Sequence, residues 1–219
     1  MTKYIFITGT NTNVGKTYFG TLLMKHLLQY KKCMAFKPIE TGCKISKQKL
    51  VPADSSKYYK LISNTTSLEQ INPYRFKEPV SPYLAIKLAN KRVYLRNYLK
   101  KLEAISDNNI ILIEGAGGAF SPFALDGLNI DFMKLVRSKN ILVVKDELGC
   151  IGSALSHFYA FKKNKVPLDI MILNNHIKNK MDNLNEIKKY VDIPIYAFGK
   201  TTKDNIKCFV AIKNKIIAK

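Results

Sequence analysis

The segment that most constrains this chain lies near its start. The apolar run Tyr4 to Thr8 is followed by Gly9-Thr10-Asn11-Thr12-Asn13-Val14-Gly15-Lys16-Thr17, and then by helical periodicity through Phe19, Leu22, Leu23, His26, Leu27 and Tyr30. A strand that passes through a glycine-bounded loop into a helix aims the unpaired N–H groups of the first helical turn into the loop, and such groups attract phosphate. In a loop of this kind the lysine of Gly-Lys-Thr reaches the β- and γ-phosphates, and the threonine hydroxyl ligates Mg2+. The spacing departs from G-x-x-x-x-G-K-[ST], because Thr10 stands at the first glycine's place and Gly9 lies one residue earlier. The plain alternative is a glycine turn with a solvated lysine; the flanking strand and helix, in the required order, argue against it.

The same alternation continues along the chain. Strand-length apolar runs recur at Met34 to Lys37, Ile110 to Ile113, Ile141 to Val144, Ile170 to Leu173 and Ile193 to Tyr196, with helical spacing between them, as at Leu128, Phe132, Leu135 and Val136. Near-continuous apolar strands separated by helices predict an α/β fold: a mostly parallel sheet with helices on both faces, in the three-layer arrangement of phosphate-loop NTPases. Ligands of such sheets bind beyond the carboxyl ends of the strands. Val51 to Lys91 shows no clear strand and reads as mixed helix and loop. No repeat or Pro/Gly/Ser linker marks a boundary, so residues 1–219 are expected to form one domain, and 47% hydrophobic residues supply its core.

Two further strand ends carry chemistry. Ile110 to Ile113 runs into Glu114 and then Gly115-Ala116-Gly117-Gly118, a carboxylate suited to the metal side of a phosphate site and glycines that let backbone approach the γ-phosphate. A glutamate that merely caps a turn is the competing reading. Phe36-Lys37-Pro38-Ile39-Glu40-Thr41-Gly42 places Lys37 at the same edge, where it is a surface lysine or else a buried cation that faces an anion.

Charge widens the field before it narrows it. Lys and Arg together number 36 against 16 for Asp and Glu, a net charge of +20 that admits nucleic acid, anionic membrane or phosphate-bearing ligands. The arginines are only Arg75, Arg92, Arg96 and Arg137, however, and scattered lysine is a poor reader of base edges, which favours a solvated lysine-rich surface. Cys33, Cys43, Cys150 and Cys208 form no CxxC pair, and His26, His157 and His176 stand at no zinc-ligand spacing from them. The N-terminal apolar run is too short for a signal peptide, and no stretch has the length of a membrane span. The expectation is a reduced, soluble, cytoplasmic protein.

Taken together, the chain resembles the dethiobiotin synthetases, phosphate-loop ATPases of biotin biosynthesis. The resemblance covers about residues 2 to 177. It rests on Gly9 to Thr17, Lys37-Pro38 with Thr41-Gly42, Asp54, Asn72-Pro73-Tyr74, Glu78-Pro79-Val80-Ser81-Pro82, Glu114 to Gly118 and Leu148-Gly149-Cys150-Ile151. The shifted first glycine is that family's own form of the loop. The resemblance implies a ligase that closes a cyclic urea from CO2 and 7,8-diaminononanoate (7,8-diaminopelargonate), with ATP as co-substrate and Mg2+ as cofactor. One amine captures CO2 as a carbamate, its oxygen attacks the γ-phosphate, and the second amine displaces phosphate from the resulting carbamic–phosphoric anhydride.

The resemblance also implies roles. Lys16, Lys37 and Thr12 would be catalytic; Thr17, Asp54 and Glu114 would hold Mg2+. Asn13, Val14, Gly15, Lys16, Thr17, Tyr18, Gly115, Ala116, Gly117 and Asn175 would join Asp54 and Glu114 at the nucleotide, with Asn175 at the adenine. Thr12, Lys37, Thr41, Ser81 and Gly117 would line the carbamate and diamine side. Gly149, Cys150 and Ile151 would receive the substrate carboxylate at a helix N-terminus across a homodimer interface, Cys150 through its backbone. Asn13 replaces an acidic residue common in the family's loop, and Gly152 stands where some relatives carry a polar side chain. Ile195 to Lys200 stands where the family has a Pro-rich segment that clamps the base, so weak discrimination among bases is expected. A switch ATPase that partitions DNA or sits on membranes is the alternative from another class. Its signature lysine, five residues before Lys16, is here Asn11. Neither nucleic acid nor membrane is therefore expected as a partner.

Overall fold

The computed structural model describes residues 3–105, 110–175, 181–199 and 201–217. Of the residues named above, Thr2, His176, Ile177 and Lys200 lie outside these. β1 (Lys3–Gly9) leads into α1 (Lys16–Leu27), then β2 (Cys33–Phe36), β3 (Ile39–Glu40), β4 (Lys44–Ser46), β5 (Lys49–Val51), α2 (Ala53–Ile62), α3 (Leu68–Ile71), β6 (Tyr74–Arg75), α4 (Pro82–Leu88) and α5 (Leu95–Glu103). β7 (Ile110–Gly118), α6 (Asn129–Val136), β8 (Lys139–Lys145), α7 (Cys150–Lys163), β9 (Ile170–Asn174), α8 (Asn183–Lys188), β10 (Ile195–Phe198) and α9 (Thr202–Ile212) follow, and a π-helical turn (Lys213–Ile217) completes the order.

Six strands form one sheet in the order β10-β9-β8-β1-β7-β2, with every neighbouring pair parallel. Each of the six apolar runs contributes a strand to it. Successive side chains leave opposite faces. In β1, Ile5 and Ile7 pack with Phe19, Leu23 and Leu27 of α1 and with Phe209 of α9, whereas Phe6 packs on the other face with Tyr98 of α5 and Phe132 of α6. Burial on both faces is why the strands read as continuous apolar runs rather than alternating ones. The last strand is displaced two residues from the expected Ile193 to Tyr196. Pro194 has no N–H to give the ladder and only accepts, from the Met171 N–H at 3.0 Å, so regular pairing begins at Ile195.

Residues 51–91 hold α2, α3 and α4, as expected, but also β6, whose Tyr74 pairs with Ile39 of β3. A two-residue strand leaves no periodicity to read. The chain leaves β1 toward β2 and β7 on one side and returns to β8, β9 and β10 on the other. The carboxyl end of β1 therefore faces the crevice at which open α/β sheets bind their ligands.

Candidate active site

That crevice is a cleft of about 760 Å3, walled by the loop after β1, the ends of β2 and β7, the start of α2 and the turn into α4. Of the residues singled out in the sequence, Thr12, Asn13, Gly15, Lys16, Thr17, Tyr18, Lys37, Thr41, Asp54, Ser81, Glu114, Gly115, Ala116 and Gly117 line it. More than a hundred residues of chain separate the first from the last, and the parallel sheet brings them to one edge.

The loop after β1 is shaped to leave its N–H groups open. Gly15, at the N-cap of α1, is left-handed with φ 94°, makes no side-chain cap, and no acidic residue follows in the first turn. Helices ordinarily put a capping oxygen or an acid there, and this one puts Lys16 there instead, leaving the positive helix end to an external anion. Gly15 is required for a second reason: a Cβ on it would lie 2.1 Å from the Asn174 amide nitrogen. That amide donates to the Val14 carbonyl at 2.9 Å and ties the loop to the end of β9. The Lys16 ammonium curls back to donate to the Asn11 carbonyl at 2.7 Å. Burial pulls it down to about 8, Lys37 adding to the fall and Glu114 and Asp54 opposing it.

Beneath the loop sits a cluster of charge. Glu114, 2% exposed, accepts the Thr17 hydroxyl at 2.8 Å and the Lys37 ammonium on Oε1, and the Tyr58 hydroxyl at 2.7 Å on Oε2. Lys37 also donates to Asp54 at 3.3 Å. Lys37 is thus a buried cation rather than a surface lysine, and it stands between the two acids assigned to the metal. Burial alone would lower the Lys37 ammonium, but Glu114, then Asp54 and Glu40, raise it above the usual lysine value. Burial would likewise push the Asp54 carboxyl up, and the ammonium groups of Lys37 and Lys57 hold it below its ordinary value.

Several residues to which the sequence assigned no role position this cluster. Glu40 accepts the Asp54 N–H at 2.8 Å and the Ser55 N–H at 3.0 Å, so it caps α2 from another strand and sets Asp54. The helix needs this, because its own N-cap is Pro52, which offers no side-chain cap. Asn72 donates to the Lys37 carbonyl at 2.6 Å. Asn129 donates to the carbonyls of Ala116, Gly118 and Ser121 and accepts from the Ala116 N–H, knitting the glycine-rich end of β7 to the residues that follow it. Gly117 is left-handed there, φ 71°. Each of these bonds joins residues far apart in sequence or a side chain to backbone, so that even where the residue stands in a quoted motif, as Asn72 does, the bond itself is not announced.

Five of the expected site residues do not line the cleft. Val14 packs into the core beneath the loop, 5% exposed, and serves through its carbonyl. Asn175 is buried and spends its amide on Asp146, which also accepts Asn183 at 2.7 Å. Gly149, Cys150 and Ile151 lie at the N-terminus of α7, beyond β8 on the same sheet edge. There the Cys150 N–H is already given to the Glu147 carbonyl at 3.1 Å. The four thiols are buried and free, and burial pushes Cys33 and Cys208 up to about 12 and Cys43 up to about 11, which leaves little nucleophilic thiolate at neutral pH. Cys150 is raised for the same reason.

The donors suit Mg2+. Thr17, Asp54 and Glu114 offer hard oxygens, and among the described residues no group of three or more His, Cys, Asp or Glu forms a cage of its own. Mg2+ characteristically takes one or two carboxylates and completes its shell with water and substrate phosphates. The cluster fits a metal that arrives with a nucleotide. Among the described residues, no helix is long and apolar enough to cross a membrane.

Comparison with known proteins places the chain in a family. A family model described as an AAA domain matches residues 3–198. The ATP-dependent dethiobiotin synthetase BioD of Vesicomyosocius okutanii is 31% identical over 98% of this chain and 97% of its own length. Among solved structures, the hydrogenase maturation factor HypB of Archaeoglobus fulgidus superposes with a TM-score of 0.58 at 16% identity, covering 97% of this chain and 89% of its own. The septum site-determining protein MinD of Pyrococcus horikoshii gives 0.53 at 16% identity, covering 94% and 86%. At that identity the structural likenesses speak for the fold alone, whereas the sequence relationship spans both the loop and the ends of β2 and β7, so this chain belongs to the ATP-dependent dethiobiotin synthetase family.

Proposed function

We propose that the cleft performs ATP-dependent closure of a cyclic urea from CO2 and 7,8-diaminononanoate, giving dethiobiotin, ADP and phosphate. The observation that carries this is the convergence of two buried ammonium groups, Lys16 and Lys37, with Thr17, Asp54 and Glu114 at one sheet edge. A carbamate and a γ-phosphate are both anions. Bringing them into contact requires fixed cations that need no reorganisation as charge moves, and the cleft supplies them.

Lys16 releases the Asn11 carbonyl and reaches the β- and γ-phosphates, while the open N–H groups around Gly15 hold the phosphate chain. Lys37 faces the carbamate and the phosphoryl group in transfer. Thr12, Thr41, Ser81 and Gly117 orient carbamate and diamine on the opposite wall. Thr17, Asp54 and Glu114 would hold Mg2+, which supplies charge neutralisation between phosphate oxygens. Asn13, Tyr18, Gly115 and Ala116 border the nucleotide. Asn175 stands behind them on the base side.

The substrate's distal carboxylate is assigned to the N-terminus of α7 in a partner subunit of a homodimer. With the Cys150 N–H engaged, Ile151 and Gly152 are left to meet it. The protein works in the cytoplasm on small molecules, without nucleic acid or membrane.

The test supplies bicarbonate, MgATP and the diamine and measures dethiobiotin. Lys37→Ala should retain ADP binding by calorimetry and lose turnover by roughly 100-fold or more. It should also melt earlier, since a buried Glu114 without its cation costs about 3–5 kcal/mol. Full activity in Lys37→Ala refutes the role given to this lysine.

A further inference from the structure

α2 carries a second side chain to this cluster. Asp54 and Tyr58 are four residues apart on the helix and share one face. Asp54 lines the cleft, whereas Tyr58 lies behind it, 1% exposed, packed in the cluster that contains Ile7, Phe19 and Ile62. A phenylalanine would fill that space equally well. A buried hydroxyl is unfavourable unless it is bonded, and here, among the described residues, it is bonded to Glu114 Oε2 at 2.7 Å.

The two oxygens of Glu114 are thereby given different tasks. Oε1 faces the phosphate loop and takes the Thr17 hydroxyl and the Lys37 ammonium; Oε2 faces α2 and takes Tyr58. Room for the phenol is itself built into the neighbouring helix. A Cβ on Gly20 would lie 1.9 Å from the Tyr58 hydroxyl oxygen. Gly20 sits inside α1, where glycine is less favourable than alanine, and its φ is not left-handed, so the backbone does not ask for it. The phenol does.

We propose that Tyr58 is a positioning residue for the reaction: it holds the Glu114 carboxylate in the orientation that presents Oε1 to the phosphate loop, and Gly20 is the gap that admits it. This rests on the reading of Glu114 as a metal-side acid. A carboxylate with one oxygen already tethered loses less freedom on meeting a cation, and groups that orient ligands in this way tune affinity through the ligand they touch.

Tyr58→Phe is the primary test, because the ring remains to fill the core. Manganese serves as the probe, titrated into the ADP complex and read by electron paramagnetic resonance, with ADP affinity in chelator measured beside it. The expected result is metal-free ADP affinity within about twofold of the unsubstituted protein and Mn2+ affinity lowered about tenfold. In turnover, the Mg2+ requirement should rise while the rate at saturating Mg2+ is largely kept. Gly20→Ala, which displaces the phenol, should lower Mn2+ affinity by a similar factor, and the double variant should fall no further.

Unchanged Mn2+ affinity in Tyr58→Phe overturns the proposal. An equal loss of metal-free ADP binding also overturns it, since Tyr58 would then act only by shaping the fold. Ring closure by the unsubstituted protein is a separate measurement. Its absence would overturn the functional reading, whereas the manganese titration needs only ADP and judges Tyr58 alone.

Discussion

The carboxyl edge of the sheet divides into two halves built by different means. At β1, β2 and β7 the contacts follow from the strands and the loop after β1: Lys16 opens α1 at the end of that loop, Lys37 directly follows β2, and Glu114 lies within β7. At β9 and β10 they depend on side chains crossing between elements, as when Asn175 is drawn onto Asp146 along with Asn183. Adjacent residues separate the halves, for Asn174 reaches the Val14 carbonyl and Asn175 turns the other way. A site that binds phosphate through backbone and strand ends is compatible with wide drift in the half that would meet the base.

Two glycines put this contrast to the sharpest test. Gly15 and Gly149 are both left-handed, φ 94° and 86°, and both stand at helix N-caps. A Cβ on Gly15 meets Asn174 at 2.1 Å, whereas one on Gly149 meets nothing within 4 Å. Gly15→Ala should therefore cost about 100-fold in ADP affinity, with backbone strain and a clash acting together. Gly149→Ala should cost about 1–2 kcal/mol of stability, seen in melting, and leave ADP affinity unchanged. Equal effects on ADP binding would erase the distinction between the halves.

The next effect is of pH. Lys16 falls from 10.5 to about 8 in the nucleotide-free protein, and bound phosphate favours its charged form. Nucleotide binding should take up a proton between about pH 8 and 10.5, and affinity should decline by at most about tenfold per pH unit across that window. Calorimetry in buffers of different ionisation enthalpy reads the proton directly. The sign for stability is opposite. The unfolded chain binds the extra proton in this window, so the lysine's contribution to the stability of the nucleotide-free protein rises with pH there. A smaller effect, about tenfold in ADP affinity, is expected for Asn174→Ala, which removes the bond from the end of β9 to the Val14 carbonyl of the loop.

How much of this could be read from residues in order follows the same division. The six strands were legible because burial on both faces makes them continuous apolar runs; Lys37 and Glu114 were legible because each closes such a run, and Lys16 because Gly-Lys-Thr follows the first run and opens a helix. β6 was not, since its two residues gain their pairing from β3 rather than from any pattern of their own. Glu40, Tyr58, Asn129 and Asn174 escaped for a related reason. Glu40 reaches across to cap a helix whose N-cap is Pro52, and Asn129 bonds three carbonyls at and just past the end of β7, about ten residues before it. Gly20 offers the one readable hint, a glycine within an otherwise ordinary helical pattern. Such a residue signals crowding without naming the neighbour that causes it.

The smallest expected effect concerns the base. Where the resemblance implies a proline-rich clamp, Ile195 to Phe198 forms β10, hydrogen-bonded to β9, and the Asn175 N–H donates to the Phe198 carbonyl at 2.7 Å. The Asn175 amide nitrogen is held by Asp146, and its oxygen is buried with no partner among the described residues. The ring of Tyr18 is 41% exposed and tilted against Phe198 at 5.6 Å, and a base meeting it would do so by stacking. Stacking is tolerant of base identity, whereas rejecting a wrong base requires polar groups left unpaired by it. ATP, GTP and CTP should accordingly bind within about fivefold of one another by calorimetry. ATP bound 100-fold more tightly than the others would mean that Asn175 exchanges Asp146 for the adenine on binding, and the base half would then be as strictly built as the phosphate half.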